Sequence, residues 1–354
     1  MCKRNVCVLF GGVSPEHEIS LRSAQCILNH IDREKNRVIA VGITKAGKWL
    51  RFAGEDYSLL PKGEWEAAPG CCPCIISPSR GDGLICFTAD GIVHEPIDVV
   101  FPVLHGENGE DGSMQGLMQI AGRPCVGPDV AASATCMDKT MTKLIIDRTP
   151  VRQAKWYLVT KERFATRKDE IIAEIEQSFQ YPVFVKPAGT GSSVGVSKAR
   201  DREALCVALV DALHYGRKVL VEECILGHEV EVAVLGNLSP VASVCGEIIA
   251  GAEFYDYEAK YISDTSRTEI PAALTPAQAE AARQAAITVY KAMGCRGLSR
   301  VDFFVTYDGG EVIFNEINTM PGFTSISMYP KLFEASGIPC TELIEQLLEL
   351  AVEK

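Results

Sequence analysis

Runs of strand-like and helix-like hydrophobicity alternate through the first third of the chain. Residues 6–10 (VCVLF) are an unbroken apolar run ending at Gly11-Gly12, as expected of a buried first strand. Residues 19–31 then repeat apolar side chains at helical spacing, with Leu21, Ala24, Ile27, Leu28 and Ile31 on one face. A second strand is expected at 38–43, followed by a turn at Lys45-Ala46-Gly47-Lys48. Residues 97–104 (IDVVFPVL) suit a buried parallel strand, and 113–121 a short helix. Farther along, the pattern predicts helices at 138–147, 168–179 and 202–215, with strands at 154–159 and 182–186. These elements divide the chain into an amino-terminal α/β unit (1–126), a central unit (127–221) and a carboxy-terminal unit (222–354). No repeat or low-complexity linker separates them, so the units are expected to pack around a shared cleft.

The most chemical stretch is 297–329, GLSRVDFFVTYDGGEVIFNEINTMPGFTSISMY. Tyr307-Asp308-Gly309-Gly310 is a turn signal joining two strands as a hairpin. Period-two alternation places Arg300, Asp302 and Phe304 on one face of the first strand. On the second it predicts a common face for Val312, Phe314, Glu316 and Asn318. Asp302, Glu316 and Asn318 then cluster hard oxygen donors, which suits Mg²⁺ held by one or two carboxylates plus phosphates and water. Otherwise the pair of acids would be a solvated hairpin face.

At 354 residues, 47% hydrophobic and 23% charged, the chain is globular and long enough for two or three cores. Its net charge of −11 argues against nucleic acid as a main partner, so an anionic substrate needs local basic groups. No apolar run reaches the roughly 20 residues that span a bilayer, and the apolar stretch at 6–10 is too short for a signal peptide. The 14 cysteines are scattered within apolar runs, the pattern of reduced thiols in a cytoplasmic protein. Cys71-Cys72-Pro73-Cys74 is a single close-spaced couple, whereas structural zinc sites usually pair two.

Residues 183–187 (VFVKP) form a strand with Lys186 near its end. It runs into AGTGSSVGV, whose glycines let backbone N–H groups approach anionic oxygens. The G-K-[ST] of a Walker loop is absent.

Taken together these blocks resemble the ATP-grasp superfamily, and the D-alanine–D-alanine ligases in particular, over nearly the whole chain. FGGVSPEHEIS (10–20) is similar to their amino-terminal glycine loop. LHGENGEDG (104–112) resembles their LHGxxGEDG signature, and FYDYEAKY (254–261) their mobile lid. The resemblance implies a three-domain α/β fold, with an amino-terminal parallel α/β domain and two α+β domains enclosing ATP. It implies that Lys139 and Lys186 reach the nucleotide phosphates, and that Glu222 accepts from the adenine amino group. Backbone groups at Cys224 and Ile225 would complete base recognition, Glu229 would hold the ribose and Phe304 would lie against the purine. Asp302, Glu316 and Asn318 would hold two Mg²⁺ ions, with Mn²⁺ as a substitute. Glu16 would pair with the first substrate's ammonium, with His105 nearby. Ser192, Tyr261 and Glu16 would tie the lid to the glycine loop, and Arg300 with the Gly322 N–H would stabilise an oxyanion. Lys260 and Ser327 would bind the second substrate's carboxylate, with Met328 beside them.

The implied reaction phosphorylates one D-alanine on its carboxylate and lets the amine of a second displace phosphate, giving D-alanyl-D-alanine for peptidoglycan precursors. Small molecules are the implied partners, and a homodimer the implied assembly. Depsipeptide-forming relatives carry histidine where this chain has Tyr261. D-serine-using relatives of the vancomycin-resistance type carry a basic residue where it has Met328. An apolar Met328 favours D-alanine, although GITK (42–45) and WYLV (156–159) have the character of the D-serine group. Two other readings are another ATP-grasp carboxylate–amine ligase and a nucleotide-binding module without catalysis. The signatures at 104–112 and 254–261 count against the first, and the filled catalytic positions against the second.

Overall fold

The computed structural model describes residues 3–191, 194–249 and 267–353. Three sheets organise them. The first has the order β6-β5-β4-β3-β2-β1-β7. Its parallel part is β2 (Asn36–Ile43), β1 (Arg4–Gly11) and β7 (Val99–Val103). Both faces of this part are covered, hence the apolar runs. Pro102 is tolerated because β7 lies at the sheet edge. Helix α1 (His17–His30) lays Ile19, Leu21, Ala24, Ile27 and Leu28 inward, within a residue or two of the span expected.

The parallel unit expected from the pattern is extended by four antiparallel strands: β3 (Trp49–Phe52), β4 (Cys72–Ile76), β5 (Leu84–Thr88) and β6 (Gly91–Glu95). The Cys71–Cys74 couple is thereby explained as sheet. Cys74 is buried opposite Cys86, while the Cys71 thiol donates to the Trp65 carbonyl at 3.2 Å. Helix α2 (Ser113–Ala121) has the bounds expected, and Gly122 closes it in the left-handed region.

After α3 (Val130–Met137) and α4 (Lys139–Ile146), a second sheet runs β10-β9-β11-β8. Its strands are β8 (Trp156–Thr160), β9 (Val183–Pro187), β10 (Ser197–Ala199) and β11 (Lys218–Glu223). The expected junction at 221/222 lies inside β11, and Ala132, Cys136 and Ile146 pack with the third sheet's core. Helix α5 (Lys161–Ser178) begins earlier than the apolar pattern indicates. Thr160 caps it by accepting from the Arg163 N–H, and the chain kinks at Arg167. Helix α6 (Arg202–Ala212) is capped by Asp201.

The third sheet, β14-β13-β12-β15-β16, is wholly antiparallel. It comprises β12 (Gly227–Leu235), β13 (Val241–Ile249), β14 (Arg267–Glu269), β15 (Leu298–Thr306) and β16 (Val312–Asn318). Helix α7 (Pro276–Ala292) starts with Thr275 and Gln278 capping reciprocally, and buries Ala282, Ala286, Val289 and Tyr290 against one face. Helices α8 (Met328–Ala335) and α9 (Cys340–Val352) return the chain to the first sheet. There Glu345 pairs with Arg4 and accepts from the Asn36 amide at 2.9 Å. No helix among the described residues is long and apolar enough to cross a membrane.

Candidate active site

A cavity of about 380 Å³ opens between the second and third sheets. Its walls carry Phe184 and Lys186 from β9, Glu222 from β11, Glu229 from β12, Phe304 from β15, and Asn315 and Glu316 from β16. Cys224 and Ile225 line the crossover between the two sheets. Eight residues expected at a nucleotide site, Lys139, Lys186, Glu222, Cys224, Ile225, Glu229, Phe304 and Glu316, therefore border one space.

The hairpin explains the acidic wall. β15 and β16 place Asp302 opposite Glu316 and Arg300 opposite Asn318. The expected alternation of β16 is corrected by a bulge. The register slips at Asp302/Phe303, so Phe314 faces Phe303 while Asn315 is inserted ahead of Glu316. Phe314 is consequently buried in the core and Val312 packs beside it, while Glu316 lines the cavity and Asn318 a smaller adjoining space that shares Lys139, Asn315 and Glu316 with it. Both Asn315 and Glu316 reach the cavity, which strict alternation would forbid.

Around this hairpin the charges interlock. Arg300 is clamped by Asp302, donating through Nε and a terminal nitrogen at 2.8 Å each, and lies 3.0 Å from Glu231. Asn318 donates from Nδ2 to Asp302 at 2.9 Å, leaving its Oδ1 as the atom offered to a cation. Carboxylates of Asp302 and Glu316 with an amide oxygen are the donor set of a hard divalent ion. The residues fit such a group.

The basic wall is richer than expected. Lys139 donates to the Thr190 carbonyl at 2.7 Å and stands 3.8 Å from Glu316. Lys186 donates to Asn315 at 3.2 Å and pairs with Glu222 at 2.7 Å. Lys143, not singled out in the sequence, lies 2.8 Å from the other oxygen of Glu222. Its ammonium is buried and meets no further acceptor among the described residues. Burial pushes Lys143 down, with Lys186 repelling it and Glu222 pulling the other way. Burial disfavours the Glu222 carboxylate too, but the two ammonium groups overcome it and hold its pKa at about 2. Two cations thus share one anion, Lys143 on one oxygen of Glu222 and Lys186 on the other.

A second space adjoins the glycine loop. Glu16 stands at the start of α1, its N–H donating to Ser14 at 3.2 Å. Gly106 holds a φ of +67°, in the left-handed region that favours glycine, and a Cβ there would also come within 2.6 Å of Glu16 Oε2. Its N–H donates to Glu110 at 2.7 Å. Burial and the neighbouring Glu16 push Glu110 up to about 8 against that hydrogen bond. His105 lies between Ser23 Oγ (3.3 Å) and the Met320 carbonyl (3.2 Å), and burial pushes its pKa down although Glu16 opposes this. Ser327 accepts from the Thr324 N–H at 3.0 Å, and a Cβ on Gly322 would meet its Oγ at 2.8 Å. Met328, expected at the second substrate, packs in the core, its Cε 2.3 Å from where a Cβ on Gly246 would stand. Ser192, Lys260 and Tyr261 lie outside the described residues.

Lys143, Glu231, Asn315 and Glu110 are thus absent from the sequence-based set. Lys143 is one helical turn beyond Lys139, and Glu231 shares a strand face with Glu229, so both carried a periodic signal.

Comparison with known proteins is consistent across the chain. A family profile described as "D-ala D-ala ligase N-terminus" matches residues 5–128, and "D-ala D-ala ligase C-terminus" matches 145–349. A D-alanine--D-alanine ligase of Caldicellulosiruptor bescii is 49% identical over 100% of this chain and 96% of its own. That of Acetivibrio thermocellus is 50% identical over 99% and 96%. Among solved structures, the VanG D-Ala:D-Ser ligase from Enterococcus faecalis superposes with a TM-score of 0.90 at 36% identity, covering 99% and 100% of the two chains. The D-alanine-D-alanine ligase from Coxiella burnetii gives 0.85 at 34%, covering 99% and 94%.

Proposed function

Because the chain belongs to the D-alanine–D-alanine ligase family, we propose that it joins two D-alanines at the expense of ATP, releasing ADP and phosphate. The observation that carries this reading is a pair of adjoining spaces that share Lys139, Thr190, Asn315 and Glu316, with Lys186 on one, Lys143 and Asn318 on the other, and Asp302 opposite Glu316 on the ladder. A polyphosphate needs both walls, cations for its oxygens and hard donors for its metal.

Adenine would lie between the sheets beside Phe304 and Phe184, with the crossover at Cys224 and Ile225 along its edge and Glu229 at the ribose. Lys139, Lys143 and Lys186 would hold the phosphates, with Glu222 fixing two of the three lysines. Asp302, Glu316 and Asn318 would hold two Mg²⁺, or Mn²⁺ in their place, which bound there would neutralise charge on the phosphoryl group as it moves. Asp302 is kept in place by Arg300, which is anchored in turn by Glu231.

Glu16 would take the first substrate's ammonium, beside a His105 that is neutral at pH 7. Phosphoryl transfer to that substrate's carboxylate gives an acyl phosphate. The second amine attacks its carbonyl, with the Gly322 N–H and Arg300 toward the oxyanion and Ser327 and Lys260 toward the second carboxylate. Tyr261 and Ser192 would complete the link to Glu16. The product would serve peptidoglycan precursor synthesis in the cytoplasm, from a homodimeric enzyme.

A second reading, D-serine as acceptor, rests on the close superposition with the D-Ala:D-Ser ligase. Relatives near 50% identity named for D-alanine weigh against it. The experiment is mass spectrometry of products, with D-alanine offered alone and against D-serine and D-lactate, alongside phosphate release. D-alanyl-D-alanine as the main product supports the proposal. D-alanyl-D-serine as the main product overturns the acceptor, and phosphate release indifferent to D-alanine overturns the reaction.

A further inference from the structure

Away from the cleft, on the outer side of the first sheet, two helices bring a set of soft ligands together. Cys26 and His30 lie one turn apart on α1, and Cys340 is the first residue of α9. One ligand atom from each falls within 4.8 Å of the other two, and no other described trio or larger set of His, Cys, Asp and Glu is so disposed. The thiols are half-buried and the imidazole is exposed, so an ion can enter from solvent.

We propose that Cys26, His30 and Cys340 form a binding site for a zinc-like divalent cation, clipping α1 to the carboxy-terminal helix with water as fourth ligand. The spacing matches the chemistry. Tetrahedral zinc with ordinary Zn–S and Zn–N bonds sets its sulfur and nitrogen ligands about 3.6 Å apart. The Cys26 Sγ to His30 Nδ1 separation is already 3.7 Å. In the ion-free arrangement His30 Nδ1 lies 2.7 Å from the Cys26 carbonyl, the contact an incoming ion would replace. Binding forms two metal–sulfur bonds and one metal–nitrogen bond, and the thiol protons pass to buffer.

The position gives the clip something to hold. α9 reaches the first sheet through Glu345, and α1 begins at Glu16 and carries Ser23, whose Oγ accepts from the Phe323 N–H at 3.1 Å. The inference does not depend on which acceptor the ligase uses.

The test uses the full chain, freed of metal and kept in a phosphine reductant, titrated with Co²⁺. Thiolate-to-cobalt charge-transfer absorption reports sulfur ligation, and oxygen ligands at the hairpin do not produce it. One cobalt per chain with that absorption is expected, displaced by Zn²⁺ and lost in both Cys26→Ser and Cys340→Ser. His30→Asn, at an exposed position, should keep the fold by circular dichroism and weaken cobalt binding. Absence of the charge-transfer band in the wild type overturns the proposal. So does a band that survives both serine variants, or cobalt binding unchanged in His30→Asn.

Discussion

Replacing Glu222 by Gln separates the electrostatics of this site from its packing. The substitution keeps shape and leaves Lys143 and Lys186, at 2.8 and 2.7 Å, facing each other across a neutral amide. A carboxyl held at about 2 rather than its ordinary 4.5 carries about 3 kcal/mol of stability at neutral pH. Stranding buried charge typically costs about 3–5 kcal/mol, so we expect Glu222→Gln to lose about 3 kcal/mol or more. Lys143→Met should cost much less, since burial already disfavours that ammonium and Glu222 keeps Lys186. The double variant should recover part of the single variant's loss, with coupling of about 1–3 kcal/mol. The carboxylate's contribution is complete above pH 4.5 and disappears as pH falls toward 2. The gap between wild type and Glu222→Gln must therefore narrow over that window, since other acids titrate alike in both. Urea midpoints by circular dichroism at several pH values measure this, with hydrogen exchange on β9 and β11 locating the loss. A Glu222→Gln protein within 1 kcal/mol of wild type, or a gap independent of pH, would refute the reasoning.

Glu316→Gln should remove most ligase activity, by about 10²-fold or more if it weakens phosphoryl stabilisation as loss of one such group does, with the fold intact by circular dichroism; wild-type turnover at saturating Mg²⁺ rules out the metal role. Wild type should favour D-alanine over D-serine as acceptor in the ratio of kcat/KM, by about 10²-fold or less, since a pocket without a hydroxyl partner discriminates weakly; a preference for D-serine reverses the acceptor assignment. Tyr261→Phe should slow peptide formation and admit D-lactate, read by product mass; full peptide activity with no ester product removes the tyrosine from the selection of an amine.

Much of this site was legible because its elements are local. Alternation alone placed Asp302 beside Arg300's neighbours on the ladder, and the turn at 307–310 predicted the partner strand. What alternation could not supply was the inserted Asn315. A bulge breaks the period of two, and its trace is two adjacent polar residues, Asn315 and Glu316, directly after buried Phe314. Glu231 was missed for a different reason. Its ion pair with Arg300 depends on β12 lying against β15, a pairing separated by some seventy residues of chain. The antiparallel strands β3 to β6 carry short, mixed patterns with Pro73 in one of them, too weak to stand against turn and loop readings.

Helix α1 shows how polar residues in an apolar stripe can identify a site-facing element. Ser20 and Ser23 are fully buried on the same face as Ala24 and Ile27, where a core helix would carry only apolar side chains. A buried hydroxyl without a partner costs about 1–3 kcal/mol, so each must be answered from another segment. Ser20 accepts from the Gly11 N–H at 2.7 Å and donates to the Val103 carbonyl, joining the ends of β1 and β7. Ser23 meets His105 and the Phe323 N–H. The glycine loop, the segment carrying His105 and the loop after Gly322 come from three distant parts of the sequence, and these two serines fix them to one rigid helix. That satisfies the demand of a ligation, which needs the loops held to a few tenths of an ångström around two small substrates, and it explains why α1 spends core positions on serine.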